Sequence, residues 1–156
     1  MELMRNGFPR VVVTGIGIIS SLGCNVDEYW EKLKNGQSGV QIVEKWDKTH
    51  INVHIASCVP DFNPERFVER KEARRVGRCG QFAIYATHLM LEDAGLSEEE
   101  LVRDAERSGV SVGSGMGSFE LVEDAAYLFR TGERTRPNPF ALASGLSNMP
   151  AHYVSR

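Results

Sequence analysis

The chain has 156 residues, 42% of them hydrophobic and 25% charged, with a formal net charge of −3. That length and apolar content suffice for one globular core, and the charge balance argues against disorder and bulk nucleic-acid binding. No stretch approaches the roughly 20 apolar residues that span a bilayer, so a soluble protein is expected.

Near the start, Val11-Val12-Val13 is a continuous β-branched run, as in a strand covered on both faces. Arg5 and Arg10 precede the apolar run Val11 to Ile19, and Leu22-Gly23 precede Cys24, which imitates a secretory signal with a lipid-attachment cysteine. The run is short, two glycines interrupt it, and Ser21 stands where a large aliphatic residue is needed, so a buried strand is preferred. Gly15, Gly17 and Gly23 are read as tight turns of the chain. A dinucleotide fingerprint needs a third glycine where Ser20 stands, and no strand-acid pair follows at the required distance. Asp27 is placed as the cap of a helix through Tyr29, Trp30 and Leu33, ended by Asn35-Gly36. Ile51 to Val59 alternates loosely, like an edge strand, and Asn63-Pro64 reads as a helix start.

Further on, Arg66, Arg70, Lys71, Arg74, Arg75 and Arg78 are opposed only by Glu69 and Glu72. Lys71, Arg74, Arg75 and Arg78 are three or four residues apart and are expected on one helical face. Such a face is either simply solvated or a docking surface for an acidic partner. A helix from about Arg78 to Ala94 carries Phe82, Ala86, Leu89, Met90 and Ala94 on one side and ends at Gly95. Ser97 and Glu100 form a capping-box pattern. Val110 to Gly113 reads as a second buried strand, followed by a helix over Phe119 to Phe129 and another beginning near Phe140. Gly113 to Gly117 lacks the Lys-Ser/Thr of a phosphate-binding loop. Cys24, Cys58 and Cys79 are odd in number and form no C-x-x-C pair, so neither a metal site nor a disulfide framework is indicated. Reduced thiols fit a cytoplasmic protein, and no cofactor is expected. The alternation of strands and helices predicts an α/β layer fold.

Several short motifs in register carry a resemblance. Thr14 to Gly23, Asn35 to Gly39, Asp61-Phe62-Asn63-Pro64, Arg70 to Arg75, Gly113 to Gly117, Pro139-Phe140 and Asn148-Met149-Pro150-Ala151 follow the order of the β-ketoacyl-acyl-carrier-protein synthases. The chain resembles the N-terminal part of that family from about Arg10 to Arg156. The resemblance implies an incomplete N-terminal half of a thiolase-like fold, and decarboxylative condensation in fatty acid biosynthesis as the parent activity. It also implies a homodimer with an acyl-carrier protein as partner. The family's nucleophilic cysteine would fall roughly 15 residues beyond Arg156, with its histidines later still, so no catalytic residue is assigned. The missing strand would leave an unpaired edge and uncovered apolar helices.

By the same resemblance Met116 sits at a size gate of the acyl tunnel, although filling core volume is the plain alternative. Phe140 begins a helix at the dimer interface that reaches the partner's tunnel, and a simple anchor is its alternative. Lys71, Arg74 and Arg75 match carrier-docking positions, with Arg134 a weaker match on a loop. Gly77 and His152 depart from the family pattern. Gly77 is expected to loosen a helix start and His152 to crowd a close helix contact. Other readings are a non-catalytic split subunit, a partner resembling the inactive chain-length subunits, and, more remotely, a nucleotide-binding module.

Overall fold

The computed structural model describes residues 4–44, 52–59, 62–133, 136 and 139–156. Two short antiparallel ladders occur among them: β1 (Met4–Arg5) with β2 (Phe8–Pro9), and β3 (Val40–Ile42) with β4 (Ile55–Ser57). β4 lies inside the edge strand expected up to Val59; Ile51 is outside the described residues. Seven helices accompany the ladders: α1 (Val26–Lys34), α2 (Arg70–Ala73), α3 (Arg78–Ala94), α4 (Glu98–Arg103), α5 (Phe119–Arg130), α6 (Ala141–Gly145) and α7 (Met149–Ser155).

Helix ends follow side-chain chemistry. α1 is capped by Asn25, whose side chain accepts from Glu28 N at 2.8 Å, so the cap stands two residues before the expected Asp27. Asn35 and Gly36, with φ of +65°, end α1 as read. The Asn63 carboxamide accepts from Glu65 N at 2.9 Å and starts a 3-10 turn over Pro64–Arg66. α3 has the expected bounds, with Gly95 left-handed at φ +64°. The Ser97–Glu100 capping box opens α4, as expected. The single helix expected from Phe140 is instead two, α6 and α7, because the chain turns extended at Leu146.

α3 is the element on which α7, the Phe62–Phe67 segment and residues 11–19 pack. Phe62 meets Phe82 and Tyr85 edge-on at 4.7 and 5.2 Å, and Phe67 meets Tyr85 at 4.8 Å. His88 stacks on Phe67 at 4.6 Å. α7 lies against Gly80, where a Cβ would run into Val76 and the Tyr153 ring. On another side runs the segment of residues 11–19. A Cβ at Gly15 would collide with the Met90 carbonyl oxygen, and one at Gly17 with that of Ala86. Ile16 N donates to Asp93 Oδ2 at 2.8 Å.

Three expectations are corrected here. Gly15 and Gly17 do not turn the chain, since neither has positive φ; they let backbone touch backbone. The tight turn is at Ser20–Gly23, closed by a pair of main-chain bonds of 2.9 and 3.2 Å. Val11–Val13 is not buried on both faces: Val11 is 94% and Val13 82% exposed. Neither this run nor Val110–Gly113 joins a ladder among the described residues, so neither has the neighbouring strand that would cover it.

Gly17→Val is expected to lower stability by about 1–3 kcal/mol, because the α3 backbone cannot yield. Gly109→Ala, in open space with ordinary φ, should stay within about 0.5 kcal/mol of the parent. Urea unfolding of the two variants checks both.

Candidate functional site

The basic stretch does not form one continuous helical face. α2 is a single turn ending at Arg74, and the chain breaks over residues 75–77 before α3. Gln81 Nε2 ends that turn by donating to the carbonyls of Ala73 and Val76, both at 2.8 Å. Arg78, though exposed, is engaged: its guanidinium donates to Val59 O at 2.6 Å and lies over the Phe62 and Phe82 rings. Arg66 is bound to both oxygens of Glu92 at 2.9 and 2.8 Å. A hydrogen bond with Tyr85, then Glu92, raises the Arg66 pKa further. Arg70 pairs with Glu65 at 3.6 Å. Lys71, Arg74 and Arg75 remain together on the surface, all exposed. Arg134 lies outside the described residues.

Beside them opens a cleft of about 360 Å³ between α2 and α7, lined by Lys71, Glu72, Arg75, Phe140 and Tyr153 among others. The Arg75 guanidinium sits over the Phe140 ring, 5.0 Å from its centroid. Ser144, only 2% exposed, donates its hydroxyl to Arg75 O at 2.7 Å and meets Tyr153 Oη at 2.9 Å. With the serine proton committed to Arg75, Tyr153 is the donor in the second bond. Glu72 is paired with Arg156. Phe140 caps α6 and is 42% exposed, so within this chain it is no core residue.

The second glycine group is a loop fastened to the start of α3. Ser118 Oγ accepts from Cys79 N at 3.2 Å, and Ser114 Oγ accepts from Gly117 N at 2.9 Å. Gly77 fits against Ser118, which a Cβ would strike, so its purpose is a close crossing and not a loosened helix. Gly117, at φ +64°, rests on the carbonyls of Gly145 and Leu146. Met116 is carried at the tip of this loop and is 66% exposed. It fills no core volume, and it does not line the cleft that holds Phe140. His152 is exposed and tilts against Tyr153 at 5.7 Å, crowding no helix contact.

Cys24, Cys58 and Cys79 are free thiols, all half-buried. Burial, then the Glu28 carboxylate, pushes the Cys24 thiol above its ordinary pKa, opposed by a Ser20 backbone bond and Lys32. Cys79 Sγ lies 3.7 Å from Ser114 Oγ. His88 is taken up by Phe67 and, at 3.4 Å, Glu98. Among the described residues no group of three or more His, Cys, Asp or Glu is placed to hold a metal ion. No described helix is long and apolar enough to cross a membrane.

The basic stretch was legible, but Ser144, Tyr153 and Gln81 were missed. Ser144 and Arg75 are 69 residues apart, and no local pattern announces such a bond.

An α/β chain with this motif series and this arrangement of helices belongs to the β-ketoacyl synthase family, whose N-terminal domain matches residues 9–156. A 3-oxoacyl-[acyl-carrier-protein] synthase 2 of Vibrio cholerae is 38% identical over 147 residues, which are 94% of this chain and 35% of the relative. A β-ketoacyl synthase structure from Burkholderia phymatum superposes with a TM-score of 0.77 at 30% identity, covering 92% of this chain and 35% of that one. The ishigamide ketosynthase/chain length factor structure gives 0.77 at 27% identity, covering 93% and 36%. The chain thus has the α/β fold of the N-terminal half of these thiolase-like enzymes and spans about a third of the length of the relatives it matches.

Ser144→Ala is expected to cost about 1–3 kcal/mol by leaving Arg75 O and the Tyr153 hydroxyl without their buried partner. Thermal and urea unfolding measure it. Because only the thiolate alkylates, folded Cys24 should react with iodoacetamide at about pH 8 more slowly than in urea. Glu28→Gln should speed the folded reaction, as peptide mass spectrometry of labelled protein will read.

Proposed function

We propose that this chain is the front part of a 3-oxoacyl-acyl-carrier-protein synthase, supplying the carrier-docking face, part of the acyl-tunnel wall and part of a dimer interface. The family match across residues 9–156 carries this reading. No residue of this chain is assigned as the nucleophile or as either histidine. In the parent reaction a cysteine thiolate attacks the acyl thioester and the carrier thiol leaves. The histidines then assist loss of carbon dioxide from malonyl-carrier protein, and the carbanion attacks the acyl-enzyme, restoring the thiolate.

Within that scheme Lys71, Arg74 and Arg75 receive the acidic carrier. Supporting this, all three are exposed and none is held by a carboxylate among the described residues, whereas Arg66 is bound to Glu92 and Arg78 to Val59 O. Met116, exposed at its loop tip, and Phe140, exposed at the start of α6, line the acyl tunnel. Arg134 is assigned to docking from its motif position. The exposed Phe119, Leu142 and Leu146 of α5 and the α6 region support an interface there.

Full-length protein incubated with carrier protein bearing an acyl thioester should gain one acyl group on a cysteine other than Cys24, Cys58 and Cys79, releasing the carrier thiol. No adduct would favour a non-catalytic partner subunit. Lys71→Glu with Arg74→Glu should slow carrier association about tenfold or more and flatten its salt dependence. Stopped-flow mixing at several ionic strengths tests that.

A further inference from the structure

We infer that Phe140 is a positioning residue for carrier docking: its ring is the platform that holds the Arg75 guanidinium ready for an acidic group of the carrier. The inference rests on the docking role proposed above for Lys71, Arg74 and Arg75.

Arg75 is restrained at both ends. Its carbonyl accepts the buried Ser144 hydroxyl at 2.7 Å, which ties its main chain to α6. Its guanidinium lies over the ring of Phe140, the residue that opens the same helix, at 5.0 Å. A guanidinium resting on a ring keeps its N–H edge available, so ring and carboxylate are held together and do not compete. A long exposed side chain ordinarily loses rotamer freedom when it pairs, and the ring removes part of that loss beforehand. Two acids line the cleft: Glu72 is engaged by Arg156, and Glu69 makes no ion pair with Arg75 among the described residues, leaving Arg75 to the ring and to an incoming partner. Binding coupling is reciprocal, so a docked carrier must in turn steady the Phe140 ring. Docking and the placement of a residue at the start of α6 are then one event.

Carrier affinity of the full-length protein, measured by calorimetry with an acyl-carrier protein, tests this through a double-mutant cycle. Phe140→Leu should weaken binding about 2–5-fold, and Phe140→Trp, which keeps a ring, should bind like the parent. In an Arg75→Met background neither change should matter. An equal effect of Phe140→Leu in both backgrounds, or none in either, overturns the inference while leaving docking intact. Failure of the parent to bind carrier overturns docking and the inference with it. Should Phe140→Leu not fold, 4-fluorophenylalanine at position 140 gives a second reading. Its fluorine resonance should move on carrier addition with Arg75 present and stay still with Met there. An unmoved resonance with carrier bound and Arg75 present contradicts the inference.

Discussion

The backbone of residues 15–17 lies directly on α3, with Gly15 facing the Met90 carbonyl and Gly17 that of Ala86. No side chain larger than hydrogen fits between them. The Ile16 amide, brought to the helix surface by this contact, is satisfied by the Asp93 carboxylate. α3 is thereby fixed against the start of the chain. Its other sides then receive the Phe62–Phe67 aromatic group and, at Gly80, the Tyr153 ring.

At its first turn α3 joins the two parts that carry the proposed roles. Ser118 and Ser114 fasten the loop of Met116 beside Cys79, and Gly77 permits the close crossing. Gln81 closes the turn that carries Lys71 and Arg74. From the opposite side Ser144 ties Arg75 to α6 and to Tyr153. The basic turn, loop and α6 are thus held by short bonds from a few buried or half-buried hydroxyls and amides. Surface ion pairs such as Arg70–Glu65 add little to that arrangement.

Local chemistry was legible in the sequence; long-range chemistry was not. Gly95, the Ser97–Glu100 box and Asn63-Pro64 act within a few residues of themselves, and their readings stand in the structure. The same local reasoning took Gly15 and Gly17 for turns, because a glycine shows equally well as freedom of φ or as lack of a Cβ. It also drew Lys71 to Arg78 on one helix, since spacing alone does not reveal that Gln81 would cap the carbonyls between them. The motif series placed the chain in its family, while the strand runs Val11–Val13 and Val110–Gly113 showed their pattern without their partners. The candidate site was half legible: its cations stood in the sequence, whereas the ring and hydroxyl that orient Arg75 came from residues about 65–70 positions away.

The measurement that bears most directly on this account is native-state amide hydrogen exchange, read residue by residue. The central turns of α3, from Ala86 to Leu91, should exchange most slowly in the chain. The Ile16 amide should be protected with them and lose that protection in Asp93→Ala, which removes the acceptor. Exchange of α3 as fast as that of the surface helix α1, or an Ile16 amide open to solvent, would contradict the central place given to this helix.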